Sequence, residues 1–352
     1  MAPWYEAAEA QLAIMEIPEK DRNGNAAIFA NGFKANGYEC KPLIRAQKDC
    51  HFEQGNDCIE CLAGCPIDSK QSTPVTTLRR ALKAGCHLAS SCEVERVVSN
   101  ESEVKVEGRT KAGVTFLFTG RKLVLAAGAI GNSRLLLNSQ FKKKLPFLGE
   151  GFYTHPQYMV MALYDRQINA HKGPLQTYKS ADAGFRLKGF KLENVFAPPV
   201  AISMLLPGNG MSHLRKMKEI TKMACIEVAI RDTGPGRITV NSSGRSMVSK
   251  ELNPLDKERK AHGLKAIDNI FHSTNAREII PGRLGIGLHL MGGLAMGTDS
   301  GKSVVNPDFE LHGLKNIYSA DSSIFPNAPG INPAFTIMAL SKKDAEKIGK
   351  AL

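Results

Sequence analysis

The chain has 352 residues, of which 43% are hydrophobic and 23% charged. That ordinary balance excludes a collagen-like or low-complexity chain, leaves room for a large core, and sets two domains as the prior from length. The net charge of +12 admits an anionic partner. However, no aromatic-basic motif accompanies the clusters at Lys142–Lys144, Arg215–Lys218 and Lys342–Lys350, so we read them as solvated surface and predict no nucleic-acid partner.

The opening MAPWYEAAEAQLAIMEIPEKD reads as an amphipathic helix. It lacks the charged start and apolar stretch of a secretion signal. No run of about 18 apolar residues occurs, so the sequence predicts no transmembrane helix. The compartment stays open, with the cytoplasm as default.

Seven of the eight cysteines fall before residue 100. In a large chain without a secretion signal they are read as thiols or metal ligands before disulfides. Cys58, Cys61 and Cys65 have C-x2-C-x3-C spacing, and Cys50 is the candidate fourth thiol for zinc or an iron-sulfur cluster. Without a secure fourth ligand, a structural thiol loop fits better, and no bound metal is predicted.

A helix is expected next, with Thr73 as its cap, Pro74 at its first position and Gly85 past its end. Val94, Val97 and Val98 signal a strand. Val104 and Val106, then Val114, Phe116 and Phe118, alternate as a hairpin. Leu123 to Leu125 form a short apolar run read as a buried strand, feeding a helix expected to start at Asn132 or Ser133. That is α/β architecture. From about 150 to 283, short alternating segments such as Met159–Leu163, Ile226–Ile230 and Ile238–Val240 predict an antiparallel sheet with helices. A glycine-rich loop is expected around Gly285, Gly287, His289, Gly292, Gly293 and Gly297, then a strand over Asn316–Ala320. Asn332-Pro333 then starts a long helix, with Asn as cap and Pro as first residue.

The tail LHLMGGLAMGTDSGKSVVNPDFELHGLKNIYSADSSIFPNAPGINPAFTIMALSKKDAEKI resembles the C-terminal signature of the glucose-methanol-choline (GMC) flavin oxidoreductases throughout. CIECLAGCPIDSKQSTPVTTLRRALKAG resembles the cysteine loop of a branch containing long-chain alcohol oxidases and bacterial alcohol and sugar dehydrogenases. LVLAAGAIGNSRLLLNS resembles the family's returning FAD-domain strand and helix. GEGFYTHPQ, with His155, resembles the start of its substrate domain.

The resemblance implies FAD as cofactor and oxidation of a CH–OH group. The implied fold is α/β: a partial FAD-binding, Rossmann-like domain interrupted by an antiparallel-sheet substrate domain. The expected partition is a helix and loop region at 1–45, FAD-domain portions at 46–145 and 284–352, and a substrate domain at 146–283.

No G-x-G-x-x-G turn of the kind that cradles the FAD pyrophosphate occurs in the 352 residues. The expectation is that the chain starts after that unit and by itself holds FAD weakly, with an amino-terminal fragment or subunit as a partner to supply it. The alternative function is a truncated, non-catalytic fragment or one half of a split enzyme. The substrate is expected to be a small-molecule alcohol; a sterol, long-chain alcohol, polyol or sugar all remain open, as does the electron acceptor.

Roles follow the resemblance. His289 matches the active-site histidine. Hydride loss from an alcohol carbon needs a base for the hydroxyl proton, and an imidazole near neutrality suits that task. Asn332 matches the second active-site position, where its amide bonds the substrate oxygen or caps the helix, or does both. The helix from Pro333 points its positive end at the flavin ring. Asp321 resembles a residue near the ribityl-phosphate part of FAD. Val94 and the Ala127-Gly128-Ala129 backbone resemble adenine-side contacts, or else simply pack in the core.

Overall fold

The computed structural model describes residues 1–50, 65 and 67–350. Cys58 and Cys61 lie outside these residues. Among the described residues no cluster of three or more His, Cys, Asp or Glu is placed to hold a metal ion, and no helix is long and apolar enough to cross a membrane.

In chain order the elements are α1 (Ala2–Leu12), β1 (Ile14–Glu16), α2 (Gly24–Ala35), β2 (Cys40–Pro42), β3 (Ile44–Ala46), α3 (Arg79–Lys83), β4 (Cys92–Ser99), β5 (Val104–Thr110), β6 (Thr115–Gly120), β7 (Leu123–Leu125) and α4 (Gly128–Asn138). They continue with β8 (Glu150–Leu163), β9 (Tyr178–Ser180), α5 (Ala183–Leu187), β10 (Phe190–Asn194), α6 (Pro199–Leu205), α7 (Gly210–Lys218), β11 (Met223–Ile230), β12 (Gly236–Val240), β13 (Ser246–Ser249), α8 (Pro254–Ser273), β14 (Glu278–Met291), β15 (Glu310–Leu311), β16 (Leu314–Ser319) and α9 (Ala334–Lys350).

The antiparallel sheet expected in the middle is present and has eight strands among the described residues. Its backbone is β8, which pairs β11 on one side and β14 along the other, and takes β12 at its beginning. Beyond β11 the order continues through β10 and β9 to β2. Every residue of β11 is buried, as expected of a central strand covered on both faces. Helices α2 and α8 pack on one side because glycines let them approach. Gly32 abuts Ile270, and Gly263 abuts Val228. The buried Asn25 side chain donates to the carbonyls of Val195 and Cys225 and accepts from the Cys225 N–H, tying the start of α2 to the sheet.

The valine and phenylalanine alternation around residue 100 builds the three-stranded meander β4–β5–β6. The FAD-domain reading also has its strand-to-helix unit: β7 runs parallel to β16 and feeds α4. Four local expectations are corrected. Helix α4 begins at Gly128, not at Asn132 or Ser133. Tertiary bonds hold its start, since Asn132 accepts from the Ala127 N–H and Asp321 accepts from the Gly128 N–H. Strand β7 is an edge of its sheet rather than a buried strand, and Val124 is exposed. Thr73 caps nothing, because its own backbone is already helical. Gly285, Gly287 and His289 lie in β14, not in a loop: a Cβ on Gly285 would stand 2.5 Å from the Tyr158 ring, so glycine here serves close strand packing.

Candidate active site

His289 owes its position to an irregularity in β14. Leu288 faces His155 and Met291 faces Tyr153 on β8, so His289 and Leu290 together oppose Thr154 alone. A bulge of this kind re-aims a side chain. The His289 backbone sits at φ 54°, in the left-handed region that a non-glycine residue enters at a cost of about 1–3 kcal/mol. The ring is brought edge-on to His155, with centroids 5.1 Å apart and planes at 79°.

The two rings share a hydrogen bond, Nδ1 to Nδ1, at 3.0 Å. On its other side the His155 Nε2 accepts from the Gly330 N–H at 3.1 Å. His155 is completely buried. Burial, then His289 and Lys191, push its pKa down to about 3. Burial and Lys191 hold His289 down at about 4, against the opposing pull of Glu193. Both imidazoles are therefore neutral at pH 7.

Asn332 stands where the loop after Gly330 turns into α9. Its side chain does not serve as the expected helix cap. Instead Oδ1 accepts from the Lys191 ammonium at 2.5 Å, and Nδ2 donates to Glu193 at 3.3 Å. Both partners are on β10, so the amide ties the start of α9 to the sheet. Helix α9 begins at Ala334, one residue after Pro333. Glu193 also binds Lys191 and Gln176. It faces the buried Glu227 directly across the β10–β11 pair. Burial, reinforced by Glu193, raises Glu227 to about 8, so it carries a proton at neutral pH.

His289 and Asn332 thus belong to one polar cluster, joined through His155, Gly330 and Lys191. Sequence reading missed Lys191, Glu193 and Glu227. The alternation Phe190-Lys191-Leu192-Glu193 looks like an ordinary solvated strand face, and only the register with β11 reveals its burial. His155 was visible as part of the GEGFYTHPQ segment, but nothing in the sequence paired it with His289.

The residues matched to the cofactor fall into two groups. Gly128 and Asp321 meet at 2.7 Å, with Asn132 and Ser323 completing the Asp321 carboxylate's partners. Ala127 precedes α4, and Ala129 is buried in its first turn. Val94 is half-buried on β4, which is fastened to α4 by Arg134–Glu93 and by the Val97 N–H to Ser139 bond. Asn332 and Pro333 immediately precede α9, and Asn332 bonds to β10 instead.

The residues present fit the ring end of a flavin. Leu288, Leu290 and Ile331 are exposed near His289, at 40%, 38% and 57%. That is an apolar surface next to a polar cluster, as an aromatic ring with polar edges requires. The bond from Gly128 N–H to Asp321 leaves that amide spoken for, so the phosphate end of a dinucleotide has no assigned cradle among the described residues.

Two family models described as GMC oxidoreductase match the chain, the N-terminal one over residues 1–157 and the C-terminal one over 211–341. An uncharacterized GMC-type oxidoreductase of Mycobacterium tuberculosis is 27% identical across 97% of this chain and 57% of its own length. A long-chain-alcohol oxidase of Arabidopsis thaliana is 22% identical across 90% of this chain and 49% of its own. The chain therefore spans about half the length of these relatives. Among solved structures, a formate oxidase of Aspergillus oryzae RIB40 superposes with a TM-score of 0.71 at 14% identity, and pyridoxine 4-oxidase from Mesorbium loti with 0.68 at 15%. Each comparison covers 96% of this chain and 72% of the other. These similarities show the fold.

Proposed function

Because the chain belongs to the GMC oxidoreductase family, whose cofactor is FAD, we propose that it serves the FAD-dependent oxidation of a CH–OH group in a small-molecule alcohol. The observation that carries this reading is His289: a neutral imidazole, held by a bulge against a second neutral imidazole, beside an exposed apolar surface. When bound, FAD supplies the hydride acceptor. The residues of this chain do the rest. His289 takes the hydroxyl proton, which an alcohol gives up only to a base held within hydrogen-bond reach. The Asn332 amide, steadied by Lys191 and Glu193, orients the substrate oxygen. The start of α9 would favour negative charge at the ring end of the site. Leu288, Leu290 and Ile331 would pack against the ring of a bound flavin and exclude water. Asp321 would stand near the ribityl-phosphate part of a bound FAD, and Val94 with the Ala127-Gly128-Ala129 backbone on its adenine side.

The test is to mix FAD-loaded enzyme anaerobically with a panel of long-chain alcohols, polyols, sugars and a sterol. Loss of the yellow flavin absorbance, with a matching amount of aldehyde or ketone, is the expected result for at least one class. Unchanged absorbance with the whole panel would count against alcohol oxidation.

A further inference from the structure

The two hydrogen bonds on His155 determine which nitrogen of His289 carries a proton. A backbone N–H can only donate, so the bond from Gly330 requires a bare lone pair on His155 Nε2. A neutral His155 then holds its proton on Nδ1 and gives it to His289 Nδ1. His289 is left with its proton on Nε2, the one ring nitrogen not engaged with His155. In this arrangement His289 offers the substrate a donor, whereas taking a hydroxyl proton needs a bare Nε2.

Resting on the proposed alcohol oxidation, we infer that His155 is a positioning residue that also relays the proton, and that the Gly330 amide latches the pair in its state after release. Before transfer, His289 donates from Nδ1 to His155 Nδ1, and His155 carries its one ring proton on Nε2. The substrate O–H bond breaks, its electron pair stays on the substrate oxygen, and its proton goes to His289 Nε2. The His289 Nδ1 proton crosses to His155 Nδ1. The His155 Nε2 proton leaves to water. The pair starts with two ring protons, gains one and loses one, so it stays neutral throughout. Neutrality matters here, because His155 is fully buried, His289 is half-buried and Lys191 stands close by. The bare His155 Nε2 left behind is what the Gly330 N–H occupies. Since His155 is fully covered and its Nε2 faces the Gly330 N–H, the relay requires the segment 326–330 to move aside for that proton to leave.

Two measurements test the relay. The first is nitrogen NMR of the histidine rings in the wild-type chain near pH 7. The expected pattern is a proton on His289 Nε2 and on His155 Nδ1. A proton on His289 Nδ1 instead would overturn the inference, and no variant or turnover is needed to read it. The second is His155→Asn in FAD-loaded enzyme. Asparagine keeps a donor for His289 Nδ1 but has no Nε2 outlet. We expect the His289 ring proton to stay on Nε2, kcat to fall at least about tenfold, the low side of general acid–base contributions, and KM to remain within about threefold. A near-normal kcat would overturn the relay. Loss of all alcohol turnover in the wild type would instead fall on the proposed function, leaving the ring protons to judge the relay.

Discussion

At the scale of single residues, the polar cluster sets a pH dependence of stability. Glu227 has its folded pKa raised from 4.5 to about 8. Between those values the folded chain holds a proton that the unfolded chain has released, so its contribution is complete below about pH 4.5 and is lost as pH rises through 8. His155 and His289 act in the opposite sense. Their folded values of about 3 and 4 lie below the ordinary 6.5, so the unfolded chain binds protons first and stability falls as pH drops below 6.5. The melting temperature is expected to decline between pH 6.5 and 8. Glu227→Gln should flatten that decline and leave the acid side in place. An undiminished decline in the variant would mean that Glu227 is not the group responsible. None of this was legible from the sequence. A glutamate in a strand reads as surface, and its burial opposite Glu193 follows from a register that only the folded sheet defines.

At the scale of elements, the fit between sequence and structure follows how local each signal is. The meander β4–β6 was readable because valine and phenylalanine alternate along β5 and β6 and valines recur in β4. Strand β14 was not. Its glycines read as loop, yet they serve close packing against Tyr158 and Thr154 on β8. The start of α4 was misplaced for a related reason, since Asp321, far along the chain, replaces the local cap. The Asn332-Pro333 helix start was right to within one residue, although the asparagine side chain is spent on β10. The turn after β14 holds the bulge in place. Gly292 there has φ 82°, and a Cβ on it would stand 1.9 Å from the Gly151 carbonyl oxygen. Gly292→Ala is expected to destabilise by at least about 1–3 kcal/mol from backbone strain alone, with the contact to Gly151 adding to it. Urea titration of the purified variant checks this. An unchanged midpoint would mean that the turn relaxes without strain and is no support for His289.

At the scale of the whole molecule, the family and much of the fold were legible because the tail carries many short motifs in a fixed order. Those motifs surround His289 and Asn332, which therefore stood out. The opposite wall of the site did not, because Lys191, Glu193 and Glu227 come from strands with no such signature and meet the tail only through folding. Leu288 and Leu290, which flank His289 in sequence, and Ile331, next to Gly330, are exposed, and we place the flavin ring against them. The central claim is that His289 handles the substrate proton in a flavin-dependent oxidation. The most direct test is His289→Ala in FAD-loaded enzyme, assayed with an alcohol that the wild type oxidises and compared with Asn332→Ala. We expect kcat/KM to fall at least about a hundredfold for His289→Ala, with the flavin absorbance retained, and to fall less for Asn332→Ala. A His289→Ala enzyme that keeps its flavin and turns over at near wild-type rate would contradict this claim.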